Sequence, residues 1–392
     1  MKKYFILALA AMAAMAACTS VNVKDETPES AIRFSVINHL QQTKAQTLPY
    51  TGMTYPTSVP FGTFAWWTQN TWTGAAADQS YVFMNNEQVA YAAGVWAPAS
   101  AYYWTKSGYI TFASYSPYTA AGADNGYSEI PAYDVTKGFV FNNYSIVADT
   151  NVDLMYADLA ANCTQQTNID GSQVLDAGDS GFSGVPTIFN HALCQLNFAF
   201  RAIGKKNPNV DRIVIELSDV DIKSIDNKGT FTQNNTVRWA TNHAANTTDY
   251  DFAPASALTL NLLDGTDPAV VAATDNYTDL GVSRILMPQE LLNSADAIAT
   301  TTDQLLTVVY TVKIHYTSAP ADESDPAYWA LEENIATSVR LNNGGIAAWR
   351  DNQNITYRIS INPYDTRAVT FDPAIVPWTD VYSTDVVING NN

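Results

Sequence analysis

The sequence predicts an all-β protein made of β-sandwich domains. Three observations carry that expectation. β-Branched and aromatic residues are plentiful, while charged residues make up only 15% of the chain. Apolar side chains recur at every second position in several segments, the spacing that places them on one face of a strand. Gly, Pro, Asn and Asp break these runs at short intervals, and few stretches show a helical period.

Ahead of the first strand, residues 1–17 read as a signal peptide. Lys2 and Lys3 supply the positive start, and Tyr4 to Met15 is an apolar run. That run is shorter than the roughly 20 residues needed to span a bilayer. Met15-Ala16-Ala17-Cys18 has small residues leading to a cysteine, the pattern of a lipobox, so Cys18 is the expected lipid-bearing residue. Several acyl tails on one residue suffice for stable anchoring. Thr19 follows where an inner-membrane retention signal would place Asp, and Lys24-Asp25-Glu26 hints at surface export. The expected location is the outer membrane, surface-exposed, with 18–30 as a lipidated tether. Cleavage would leave 375 residues with 18 basic and 38 acidic side chains, a net charge of −20. Such a chain is a poor partner for nucleic acid or an anionic bilayer.

The strands follow in order. Ile32, Phe34 and Val36 share one face of the first. The polar stretch 38–50 links it to the body. Cys194, Leu196, Phe198 and Phe200 alternate with Gln195, Asn197 and Arg201. Ile213, Ile215 and Leu217 form another inward set. Leu306, Val308, Tyr310, Val312, Ile314 and Tyr316 form the longest, with Thr307, Thr311, Lys313 and His315 expected outside. Tyr357, Ile359 and Ile361 alternate with Arg358, Ser360 and Asn362. Residues 162–184, 240–256 and 318–327 read as loops. Asn207-Pro208-Asn209 is the expected boundary between an N-terminal domain, 31–206, and a C-terminal domain, 207–392. At the far end Tyr382, Val386 and Ile388 share one face of a last strand.

Catalytic chemistry is hard to find. His39, His191, His243 and His315 lack metal-binding spacing, and His191 reads as a structural hydrogen-bonding residue. Gly181-Phe182-Ser183-Gly184 only approaches a nucleophile elbow. Asp170, Asp176 and Asp179 sit among glycines without the spacing of a calcium loop. No pair of acids, Asp219/Asp221 and Glu332/Glu333 included, stands out as a catalytic dyad. The protein is therefore not expected to be an enzyme or to carry a cofactor or metal. Besides Cys18 there are two cysteines. Cys163 falls in a polar loop and Cys194 faces the core; a bridge and two free thiols are both open, and the alternation favours a buried free thiol. Trp66, Trp67, Trp72, Trp96 and Trp104 crowd the first third. They read mainly as core residues, with Trp72 the one to test as a sugar-stacking platform.

Several segments together resemble the fimbrillin and Mfa-like families of Bacteroidales. They are Ile32-Arg-Phe-Ser, Val59-Pro-Phe-Gly-Thr-Phe-Ala65, Tyr102-Tyr-Trp-Thr-Lys-Ser-Gly-Tyr-Ile-Thr-Phe-Ala-Ser-Tyr-Ser-Pro117, Asp153-Leu-Met-Tyr-Ala157, Phe189-Asn-His-Ala-Leu193 and Leu286-Met-Pro-Gln289. The resemblance implies two transthyretin-like β-sandwich domains in a subunit of surface pili. It implies proteolytic removal of the lipidated segment with the first strand, here Ile32, Phe34 and Val36. Family members are cut after an Arg; Lys44-Ala45 occupies the comparable place here. It also implies that a strand from another subunit fills the vacated groove, with Tyr382, Val386 and Ile388 as the donor face. Partners would be other pilus subunits, the outer membrane through the lipid, and a host glycan or protein. The C-terminal strand favours a stalk role. The alternative is a monomeric surface glycan-binding lipoprotein that keeps its first strand.

Overall fold

A computed structural model describes residues 31–38, 55–122, 124–147, 152–165, 184–292, 298, 302–343, 345–364 and 369–378. Cys18, Lys44, Ala45, Tyr382, Val386, Ile388 and the acids Asp170, Asp176 and Asp179 lie outside these residues. Strands dominate, as the alternation requires. In the first half they are β1 (Phe34–Asn38), β2 (Phe61–Thr68), β3 (Val82–Ala92), β4 (Val95–Pro98), β5 (Tyr109–Ser116), β6 (Ala132–Asp134), β7 (Gly138–Ser145), β8 (Met155–Ala157), β9 (Ala160–Cys163) and β10 (Val185–His191). There follow β11 (Cys194–Gly204), β12 (Val210–Asp226), β13 (Lys228–Thr232), β14 (Trp239–Thr241), β15 (Thr247–Asp251) and β16 (Leu258–Asp264). After the one-turn helix α1 (Pro268–Ala272) come β17 (Thr278–Leu286), β18 (Leu305–Tyr316), β19 (Leu331–Arg340), β20 (Gln353–Ile361) and β21 (Val369–Pro377).

These strands make three sheets. The first runs β2-β3-β4-β1-β10-β8-β5-β9, and β2 also pairs with β5. The extra pairing closes seven of its strands into a ring, which removes free edges. The second runs β19-β18-β12-β16-β11-β20-β21, with β15 on β12 and β17 on β11. The third, β14-β13-β7-β6, joins two strands that precede β10 to two that follow β12. Sheet membership changes between His191 and Cys194 rather than at 206/207: β11 precedes the expected boundary yet lies in one sheet with β12. The Asn207-Pro208-Asn209 turn is real, with Val210 N–H donating to Asn207 O, but it links two strands of that sheet.

Three hydrophobic cores are formed by the described residues. One lies inside the ring, built on Phe34, Phe61, Phe112 and Phe189. The second backs the nine-stranded sheet, where Phe198, Tyr310, Trp349 and Tyr357 are fully buried. There Trp349 Nε1–H donates to Tyr357 Oη (3.0 Å), whose hydroxyl donates to Leu341 O (2.9 Å). The third core, at the junction, combines Tyr115, Phe139 and Tyr144 with Ala192, Trp239, Met287 and Trp378.

Most inward sets are as expected, with instructive departures. His315 is only 7% exposed although it stands on the outer face of β18. The chain after β18 folds back, stacks Tyr328 on the imidazole at 4.0 Å and offers it Pro320 O. Tyr316, expected inside, is 36% exposed at the strand end. Arg201, expected in solvent, is buried beneath α1, donating to Val270, Val271 and Ala273 carbonyls and to Ser360 Oγ. Residues 247–251, read as loop, form β15. Cys163 is buried at the end of β9 with its Sγ–H donating to Ala160 O, Cys194 is buried in the second core, and no disulfide joins the two.

Candidate assembly site

The seat of β1 is the feature that the sequence singled out and the structure describes. β1 runs parallel to β10, with Phe34 opposite Val185 and Asn38 opposite Phe189. On its other side it meets β4 at a single position, Phe34 opposite Trp96. Just before the strand, Ala31 bridges Tyr103, Ile32 N–H donates to Tyr102 O (2.7 Å), and Arg33 O accepts from Val185 N–H (2.7 Å). Gly184 makes that last approach feasible, because a Cβ there would stand 2.6 Å from Arg33 O.

Side chains follow the predicted alternation. Ile32 and Phe34 are 2% and 4% exposed, Val36 is half-buried against the same core, and Arg33 faces solvent. Phe34 inserts edge-on between Phe61 (5.5 Å) and Phe112 (5.6 Å), a favoured geometry for aromatic rings. Burying Ile32 and Phe34 contributes roughly 3–6 kcal/mol together. Withdrawing β1 would leave an apolar slot flanked by the edges of β10 and β4. A strand edge of that kind binds another extended chain through main-chain hydrogen bonds and alternate side chains.

The alternation gave no sign of a second feature at the junction. His191 Nδ1 lies 2.8 Å from Asp153 Oδ2, and both side chains are buried. Trp378 lies parallel over the imidazole at 3.9 Å. Asp153 Oδ1 and the nearby Tyr144 hydroxyl have no hydrogen-bond partner among the described residues, and burial followed by the Asp153 charge pushes the Tyr144 phenol far above its ordinary range. Asp153 and His191 sit in two of the segments quoted for the resemblance, but only the fold brings them together.

Two other polar clusters lie outside the seat of β1 among the described residues. Asp219, Asp221 and Asp251 lie close enough to share a cation, and Lys223 already pairs with Asp221 at 2.9 Å. A cleft of about 190 Å³ is lined by Arg238, His243 and Arg350, which bond Asp351, Asp226 and Glu290 respectively. Trp66 and Trp96 are buried, and Trp72 is half-buried 5.8 Å from Trp66.

The described strands thus form a seven-stranded ring beside a nine-stranded sheet, joined by a third, mixed sheet, an all-β architecture. Residues 53–378 match the fimbrillin-like family, and the chain belongs to that family. In fold it is similar to a fimbrial protein from Bacteroides vulgatus ATCC 8482, at 16% identity and a TM-score of 0.54, over 89% of this chain and all of the other. The tip fimbrial protein Mfa3 from Porphyromonas gingivalis, solved with a C-terminal truncation, matches at 12% identity and a TM-score of 0.30, over 82% of this chain and 94% of the other. No curated protein sequence matches the chain.

Proposed function

We propose that this protein is a structural pilus subunit, exported as a lipoprotein on Cys18 and assembled by strand replacement. In this reading a surface protease cuts the linker near Lys44-Ala45, and the lipidated segment leaves with β1. The donor face of a neighbouring subunit, Tyr382, Val386 and Ile388, then fills the slot. Membership of the fimbrillin-like family supports a role in a surface fimbrium and adhesion. The observation that carries the mechanism is the placement of β1, an interior strand of a closed ring that is held by five residue pairs on one side and one on the other. Losing it opens the ring at one gap and leaves the remaining strand pairings intact.

The alternative, a monomeric glycan-binding lipoprotein, draws less support, because its best platform, Trp72, is half-buried. N-terminal sequencing of surface-shed material separates the two. A start at Ala45 supports the pilus reading; intact lipidated Cys18 on all the material supports the monomer. Lys44→Ala should reduce processing and polymer laddering in the native cell, and unchanged ladders would reject that cut site.

A further inference from the structure

The strand that walls the β1 seat also carries the contact that holds the root of the C-terminal segment. β10 pairs with β1 from Val185 to Phe189, and His191 stands two residues further along. On His191 lies Trp378, only 1% exposed and the last described residue before 379–392. Trp378 N–H donates to Asn352 O (2.9 Å), and Asn352 N–H donates to Leu193 O (2.9 Å). The root is thus tied to β20's leading turn and, through the imidazole and its Asp153 partner, to the first sheet. Among the described residues the preceding strand, β21, lies at the edge of its sheet and pairs with β20 alone.

Resting on the strand-replacement reading, we infer that Trp378 is a positioning residue for donation: its stack on His191 fixes where the donor segment leaves the subunit. Tyr382 follows four residues later, a reach of about 13 Å when extended. A segment leaving a rigid root loses less freedom on capture by a neighbour than one leaving a frayed edge strand. The anchor also gives the acceptor wall and the donor root one shared element, β10, so successive subunits are set at a defined angle.

The test uses the mature chain, activated by limited trypsin treatment, with three variants: Trp378→Leu, Trp378→Phe, and a Gly-Ser-Gly-Ser insertion between Trp378 and Thr379. Donation is read as the rate of end-to-end assembly by light scattering. Acceptance, which doubles as the check on folding, is read as binding of a synthetic 379–392 peptide. Trp378→Leu should assemble about tenfold more slowly while binding the peptide as the wild type does, because only preorganisation of the donor is lost. Trp378→Phe, which keeps a ring on the imidazole, should stay close to wild type. The insertion leaves the core untouched and should slow assembly about threefold or more by loosening the tether. Wild-type assembly rates for both the Leu and the insertion variants would overturn the inference while leaving strand replacement standing. Should Trp378→Leu fail to bind peptide, the insertion variant decides alone. A wild-type chain that neither assembles nor binds the peptide would remove the underlying reading, and this inference with it.

Discussion

β1 and β12 are both interior strands, yet they are held in opposite ways. β12 is seventeen residues long and pairs with β18 at twelve positions, while β16 and β15 cover its other side. β1 pairs at five positions with β10 and at one with β4. The second core therefore depends on long main-chain ladders that no short segment could replace. The first depends on a short strand whose contribution is mainly two apolar side chains in an aromatic slot. An interior position does not make a strand permanent; its ladder length and its covalent route to the rest of the chain decide that.

The largest effect expected from this contrast comes from removing residues through Asn38. The ring should lose roughly 3–6 kcal/mol from Ile32 and Phe34 alone. Calorimetry should then show a lowered transition for the ring ahead of an almost unmoved one for the nine-stranded sheet. A single transition displaced as a whole would mean that the junction core couples the two completely. Next in size, Phe198→Ala should cost about 3–5 kcal/mol in every form of the protein, since it empties a permanent core. Phe34→Ala should destabilise the uncut chain by a similar amount, yet leave processed subunits identical to wild type in melting and assembly. A processed Phe34→Ala subunit that differed from wild type would show that β1 is retained.

Arg201→Ala comes third, at about 1–3 kcal/mol, because it strips donors from three carbonyls at the end of α1 and from Ser360. Denaturant melts should place this loss in the nine-stranded sheet. The smallest effect is chemical. Cys163 lies in the ring core, whereas Cys194 lies in the second core, where burial pushes its thiol far above the ordinary range. At pH 8 neither should react with a thiol reagent in the intact chain. Removal of β1 should expose Cys163 and leave Cys194 unreactive; equal labelling of both would erase the distinction drawn between the two regions.

Period-two alternation made much of this legible. Ile32 and Phe34 point inward as read, as do Cys194 through Phe200 and Leu306 through Ile314, because alternation reports directly which face of a strand meets a core. It failed where the outer face is covered by something distant in sequence. His315 and Arg201 are buried by Tyr328 and α1, and nothing within either strand announces those covers. β15 escapes the alternation because Thr247–Asp251 offers one apolar side chain, Tyr250, among four polar ones. The position 206/207 carries strong turn residues, and a turn within one sheet looks the same in sequence as a turn between domains. The seat of β1 was legible as an amphipathic short strand; the ring it completes was not, since ring closure rests on the β2–β5 pairing of strands separated by two others. The Trp378–His191 stack lay equally out of sight, joining residues almost two hundred positions apart.

Hydrogen exchange along β10 tests the central claim most directly. In the uncut chain the Val185 amide, bonded to Arg33 O, should be protected. In cut monomer freed of β1 it should exchange rapidly, and in assembled polymer protection should return as a neighbour's strand takes the seat. A Val185 amide that stays protected in the cut monomer, or stays unprotected in the polymer, would contradict the account.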